Sequence, residues 1–332
     1  MSELVGVKKR LTYPIEAFQP AVEASDRSYQ IAQKGLWLDT PRFVSIETYA
    51  KCNASCDFCP YPELNRIGEK LPDETVYKIL DEIATFKPLP RQLVFARVNE
   101  PFLDPRLFDF LTYASKKLRP TKLILFSNGQ PVIDRTIDRL NEVRNFEKLS
   151  ISFNEHRKAL YEKSMGINYR ITRQRLDNLH ARAERGELNF QVTLSRVGLS
   201  NKGDYAFLDW CKNRYPLFPA SSYARFAWTG TESKDVWVPA PDTGCTQWFS
   251  LNILADGRDA FCCIDGFGRS RAIADHSLLE LYNEPSKRAL RAQITSRLEV
   301  PGCATCPHGM PSMPPREEQA KGDPALAEAS SS

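Results

Sequence analysis

At 332 residues the chain exceeds what one hydrophobic core usually organises, so a large domain with a smaller companion is expected. Hydrophobic residues make up 42% and charged residues 26%, and the net charge of +4 is spread over mixed acidic and basic side chains; this is a globular balance without the concentrated basic face of a nucleic-acid binder. No apolar run is long enough to span a bilayer, the polar residues 1–10 are no secretory signal, and nine cysteines in so long a chain are no secreted disulfide framework.

Residues 1–41, with Pro14, Pro20 and Pro41, are expected to wrap the outside of a main domain spanning 42–230. From Arg42 onward, short apolar runs alternate with amphipathic stretches, the pattern of βα units on a parallel sheet. The first strand is predicted at 43–48, followed by a loop carrying Cys52, Cys56 and Cys59. A helix is predicted over 73–86, where Val76, Ile79, Leu80 and Ile83 recur at helical spacing. Strands follow at 92–96, 122–126, 148–153, 190–196 and 223–228, separated by helices at 105–118, 132–143, 170–185 and 204–213. Six such repeats suit an open partial barrel with its site at the C-terminal strand ends, and the periodicity suits a doubly wound sheet equally. Pro239 and Pro241 mark a crossing into a second module at 231–310. From Pro311 the composition turns to Pro, Glu, Ala and Ser, and the tail to 332 is expected to be disordered.

The loop Cys52-Asn53-Ala54-Ser55-Cys56-Asp57-Phe58-Cys59 places three thiols within eight residues. Iron–sulfur clusters are held by thiolates, four for a four-iron cluster, so a loop offering three leaves one iron open. A structural zinc loop would need a fourth ligand and favours paired C-x2-C knuckles, and the next donor in sequence is His156. Buried, unligated cysteines are a third reading. Clustered cysteines without a signal peptide point to metal binding in a reducing, cytoplasmic setting.

The C-x3-C-x-aromatic-C pattern resembles the signature of the radical S-adenosylmethionine (SAM) enzymes. The resemblance implies a partial (β/α)6 barrel, a SAM-binding 4Fe–4S cluster on Cys52, Cys56 and Cys59, and a reducing donor such as flavodoxin or ferredoxin. In that family the open iron chelates SAM, and one electron splits it to methionine and a 5′-deoxyadenosyl radical. Val98-Asn99-Glu100-Pro101 stands where the family has Gly-Gly-Glu-Pro, which binds the methionine amino group; Val98 and Asn99 replace the two glycines, while Glu100 and Pro101 remain. Ser127-Asn128-Gly129 resembles the family's Ser/Thr-Asn-Gly turn, and Ser152 and Asn154 end the fourth strand in a similar polar way. Such side chains either reach a cofactor or cap the following helix. Phe58 resembles the family aromatic that lies by the adenine.

Beyond the barrel stand Cys245, Cys262, Cys263, Cys303 and Cys306. The Cys245–Gly257–Cys262 spacing and the Cys303–Cys306 pair resemble a SPASM/twitch module, which implies one auxiliary 4Fe–4S cluster on Cys245, Cys262, Cys303 and Cys306; zinc is the alternative for two such pairs. Residues 252–257 read as a strand entering a tight turn, with 261–264 returning. On a strand, adjacent side chains face opposite ways, so Cys262 and Cys263 are not expected to be ligands together. The Gly257 spacing selects Cys262, leaving Cys263 as a packed hydrophobe or a thiol facing substrate. Cys211 reads as core, and His156, His180, His276 and His308 as surface or supporting residues.

The resemblance covers residues 42–308. A single auxiliary cluster resembles the 2-deoxy-scyllo-inosamine dehydrogenases, which oxidise a secondary alcohol to a ketone. Residues 1–41 are too short for a peptide-binding module, so a small sugar- or cyclitol-like substrate is expected, with no nucleic-acid or membrane partner. Peptide modification, a radical epimerase using Cys263 as hydrogen donor, and a non-catalytic scaffold are the rivals. No catalytic acid or base is singled out.

Overall fold

The computed structural model describes residues 39–225, 228, 240–269, 271–310 and 312. The expectations for residues 1–38, most of the 231–242 crossing and the tail from 313 lie outside the described residues. Among those described, no helix is long and apolar enough to cross a membrane.

One eight-stranded sheet carries the fold: β1 (Phe43–Ile46), β2 (Gln92–Val94), β3 (Lys122–Ser127), β4 (Phe146–Ser152), β5 (Gln191–Gly198), β6 (Ala220–Ala224), β7 (Ser250–Ile253) and β8 (Asp259–Ala260). Their order is β6-β5-β4-β3-β2-β1-β7-β8; all neighbours are parallel except the antiparallel β7–β8 pair. The sheet is not closed, and the fold is the α/β partial barrel. Helices α1 (Asp73–Ala84), α2 (Leu107–Lys117), α3 (Asp134–Asn141), α4 (Lys158–Met165), α5 (Tyr169–Glu184) and α6 (Lys202–Arg214) connect the first six strands, while α7 (Leu278–Tyr282) and α8 (Pro285–Gln293) follow β8.

Parallel strands covered on both faces bury consecutive side chains, which is why Leu123, Ile124 and Leu125 read as an unbroken apolar run. Helix α1 buries Val76, Ile79, Leu80 and Ile83, the four residues whose spacing predicted it. Helix α4 was not predicted, because only Tyr161 and Met165 of its eight residues are buried and no stripe results.

Three expectations are corrected. The sixth strand is Ala220–Ala224 rather than 223–228: it buries the small Ser222 and exposes Tyr223, against the usual pattern. The returning strand is Asp259–Ala260 rather than 261–264. There the Asp265 carboxylate accepts from the Phe261 amide at 2.8 Å and the Gly268 amide at 2.9 Å, folding residues 261–268 into a turn. The third follows from the second: Cys262 and Cys263 are not on a strand, so alternation of faces does not separate them.

Two contacts join the C-terminal part to the barrel. Strand β7 lies parallel beside β1, with Ser45 donating to the Asn252 side chain at 2.8 Å. After Cys306 the chain returns to the free edge of β6, where the Ala224 amide donates to Met310 O and the Ser312 amide to Ser222 O. A Cβ on Gly198 would stand 2.3 Å from the Ser312 side chain, so this return needs a glycine at the end of β5.

Candidate functional site

The loop after β1 presents Cys52, Cys56 and Cys59, all half-buried, at the C-terminal ends of the parallel strands. It is held from outside by the end of α4: the Ser55 amide donates to Met165 O at 3.1 Å and the Asp57 amide to Ser164 O at 2.9 Å. The Cys56 sulfur lies 3.5 Å from the Met165 sulfur. Gly166 caps α4 in the left-handed region, φ 66°, directly under Ser55.

Burial pushes the Cys52 and Cys59 thiols up to about 11, with the Glu100 charge acting in the same direction on Cys52 and the Cys52 and Glu47 charges on Cys59. Cys56 is raised further, by burial first and then by Cys59, Cys52 and Asp57. Three thiols that oppose one another's ionisation are protonated without a metal and are made to ionise by one. Among the described residues, no three Cys, His, Asp or Glu side chains converge on a point that one metal ion could occupy. Thiols on separate irons of one cluster do not need to. The donor set, three thiols in one short loop, fits a cluster with an open corner.

Glu100, Ser127 and Asn128, singled out separately in the sequence, form one network. The buried Glu100 carboxylate accepts from Ser127 Oγ at 2.9 Å, the Asn128 amide at 2.7 Å and the Phe102 amide at 3.3 Å. A carboxylate has about four acceptor positions, so there is room for one further donor. The Asn128 side chain donates to Asn53 at 2.8 Å, while the Glu100 amide donates to Lys51 O. The network is therefore bonded into the cysteine loop.

Burial raises the Glu100 carboxyl to about 7, against its hydrogen bonds with Asn128, Ser127 and Phe102, which favour the ionised form. The folded chain thus holds this proton more tightly than the unfolded chain, and the stability it contributes below the ordinary value of 4.5 is lost as pH rises through about 7. A cation docking on Glu100 reverses the preference. The affinity of an ammonium ligand for Glu100 should therefore rise with pH up to about 7 with release of one proton, and Glu100→Gln should flatten the profile; calorimetry in buffers of different ionisation enthalpy checks both.

Other sequence-selected residues fall differently. Asn99 clamps the turn, its carbonyl accepting from the Arg97 amide at 2.8 Å and its amide donating to Tyr49 O at 3.0 Å. Among the described residues no hydrogen bond joins the Ser152 hydroxyl to the Glu100 network. Asn154 accepts from the Val197 amide and donates to the Met165 sulfur, so it braces α4 against β5. Phe58 is half-buried, with Arg225 over its ring at 5.9 Å and its carbonyl accepting from the Trp228 indole at 2.9 Å.

Sequence reasoning missed Glu47. At the end of β1 its buried carboxylate pairs with Arg66 at 2.6 Å and accepts from the Val98 amide at 3.0 Å and the Ala255 amide at 3.2 Å. Arg66 continues to Gly266 O. One ion pair thus ties together the ends of β1, β2 and β7 and the loop after the cysteines. An acid closing an otherwise apolar strand was the signal available in the sequence.

The second cysteine set lines a cavity of about 470 Å³ with Trp248, Phe261, Arg297 and His308. All five cysteines line it: Cys245, Cys262, Cys263, Cys303 and Cys306. Cys263 lies 3.4 Å from His308 Nδ1, and His308 lines the cavity too. Burial raises the Cys306 thiol to about 12, and the Cys245 and Cys263 charges act in the same direction. Five thiols and an imidazole exceed the four donors a cluster needs, so the donor set fits one. Cys211 is core, as expected.

No protein-family model matches the chain, and no curated protein matches it. Solved structures share its fold. SuiB of Streptococcus suis superposes with a TM-score of 0.61 at 14% identity, over 80% of this chain and 71% of that one. BtrN in complex with AdoMet and 2-DOIA gives 0.52 at 12% identity, over 80% and 92%. Native anSMEcpe with bound AdoMet gives 0.55 at 12% identity, over 76% and 84%. At such identities the likeness establishes the fold.

Proposed function

We propose that the chain is a radical SAM oxidoreductase acting on an alcohol carbon of a small, sugar- or cyclitol-like molecule. The observation that carries the family reading is the Glu100–Ser127–Asn128 network hydrogen-bonded into a three-thiol loop, in the fold shared with SuiB, with BtrN in complex with AdoMet and 2-DOIA, and with anSMEcpe with bound AdoMet. When bound, the first cluster and SAM would supply one-electron cleavage to methionine and a carbon radical that takes a hydrogen atom, and the second cluster would accept the electron released as the alcohol loses its hydroxyl proton and becomes a ketone.

Cys52, Cys56 and Cys59 hold the first cluster. Glu100 receives the ammonium of SAM at its remaining acceptor position, Asn99, Ser127, Asn128 and Ser152 orient the methionine and ribose parts, and Phe58 flanks the adenine. Four donors of the C-terminal cavity, Cys245, Cys262, Cys303 and Cys306, hold the auxiliary cluster. The alcohol reading rests on the single thiol-lined cavity found beyond the barrel among the described residues, and on the AdoMet and 2-DOIA that BtrN binds in the same fold. A reductant of the flavodoxin or ferredoxin type in the cytoplasm would supply the first electron.

Anaerobically reconstituted protein with dithionite and SAM should release 5′-deoxyadenosine, and Cys52→Ala, Cys56→Ala and Cys59→Ala should each reduce that release to the level of SAM alone. Release by any of the three at the parent rate would sink the family reading. With a polyol panel, ketone should form in step with 5′-deoxyadenosine; turnover confined to a peptide, such as the precursor peptide bound by SuiB, would overturn the small-molecule reading alone.

A further inference from the structure

Arg66 pairs with Glu47 and Arg196 with Asp204, as buried guanidiniums normally must. Two arginines beside the C-terminal cysteines, the half-buried Arg97 and the buried Arg297, are held otherwise: among the described residues, all their side-chain hydrogen bonds go to carbonyl or amide oxygens and none to a carboxylate. Arg97 donates to Cys262 O at 2.8 Å, Asp265 O at 3.0 Å and Asn252 Oδ1 at 3.1 Å, and its Nε is buried without a partner. Arg297, 2% exposed, donates to His308 O at 3.0 Å, Gly244 O at 3.2 Å, Cys306 O at 3.3 Å and Thr243 O at 3.4 Å.

Every segment that brings a cysteine to the C-terminal cavity is thus bound by one of these cations. Arg97 reaches across from the end of β2 to the Cys262–Cys263 turn. Arg297 spans the segments of Cys245 and Cys306. Carbonyl dipoles only partly replace the lost hydration of a buried cation, and a neighbouring anion must supply the rest. The thiols belong to the segments these arginines bond: Arg97 holds Cys262 O, and Arg297 holds Cys306 O and lines the thiol cavity itself.

We propose that Arg97 and Arg297 are positioning residues that clamp the C-terminal thiols around an anionic iron–sulfur cluster and raise its reduction potential, fitting it to accept an electron. The proposal rests on the cluster reading of this cavity. A cluster ligated by thiolates is an anion and gains a further negative charge when it takes one electron from the substrate-derived radical, so two fixed cations favour the reduced form.

The test uses the full chain with Cys52, Cys56 and Cys59 all changed to alanine, so that iron can bind only at the C-terminal site. Iron per chain and the midpoint potential, followed by electron paramagnetic resonance, are measured for this background and for Arg297→Gln, Arg297→Lys and Arg97→Gln in it. The background should hold about four irons. Each glutamine variant should make one-electron reduction about tenfold less favourable, a fall of about 59 mV, and Arg297→Lys should stay close to the background potential. Unchanged potentials in both glutamine variants, with the cluster present, overturn the proposal and leave the cluster reading standing. A background that holds zinc or no iron removes the cluster reading and the proposal with it. Should Arg297→Gln shed its iron, retention by Arg297→Lys supports the charge, whereas equal loss from both makes Arg297 a brace alone and overturns its electrostatic role.

Discussion

On the proposed cluster reading, Gly166→Ala should strip the first cysteine loop of iron while leaving the sheet folded. Two independent costs meet at this residue. Its φ of 66° lies in the left-handed region, and a Cβ there would stand 2.0 Å from Ser55 Oγ, inside the loop that carries Cys52, Cys56 and Cys59. Rotation of the Ser55 hydroxyl still leaves the Ser55 Cβ at 3.2 Å and its backbone N at 3.3 Å, and that backbone cannot yield easily, because the Ser55 and Asp57 amides are bonded to Met165 and Ser164, the last residues of the helix that Gly166 ends. Backbone strain and overpacking together should cost about 2–4 kcal/mol, concentrated on the loop. Iron analysis and 5′-deoxyadenosine release check the prediction, and full iron in the variant would refute it. Adding Ser55→Gly removes the struck atom and should restore part of the iron; no recovery would mean that the clash is not the cause.

Glu47→Gln should strongly destabilise the barrel core. It keeps the shape of the side chain but leaves the Arg66 guanidinium buried without its counter-charge, and it removes an acceptor for Val98 or Ala255. Breaking one partner of a buried pair costs about 3–5 kcal/mol. The denaturant midpoint should fall accordingly, with the slope unchanged. The double replacement Glu47→Leu with Arg66→Met, which removes both charges, should recover most of the loss. A double variant no more stable than Glu47→Gln would assign the stabilisation to the hydrogen bonds with Val98 and Ala255 rather than to charge balance.

Most of the sheet was readable because its order follows local pattern. Strand β3 carries the apolar run Leu123–Leu125, β5 alternates buried with less buried residues, and α1 carries four buried residues at helical spacing. The failures share a physical origin. Helix α4 has too narrow a buried face to register as periodic, and the edge strand β6 buries Ser222 while exposing Tyr223. Cys262 and Cys263 come to one cavity because Asp265 folds the chain there, an effect carried by hydrogen bonds rather than by alternation.

At the candidate site, Cys52, Cys56 and Cys59 stood out by residue type and spacing, and Glu100, Ser127 and Asn128 by the resemblance to a family pattern. Arg97, Arg297 and Gly166 did not, since an arginine or glycine has no motif around it that tells its partner, and the acid at Glu47 went unread although its place at a strand end was a signal. The amino-acid order alone determined which donors this protein has and which strand ends carry them. Tertiary structure decided that Glu100 bonds into the first thiol loop, that five thiols and His308 share one cavity, and that two arginines without carboxylate partners hold that cavity together. The reason is distance along the chain: β7 pairs with β1 across some two hundred residues, and only packing of the whole sheet brings such segments together.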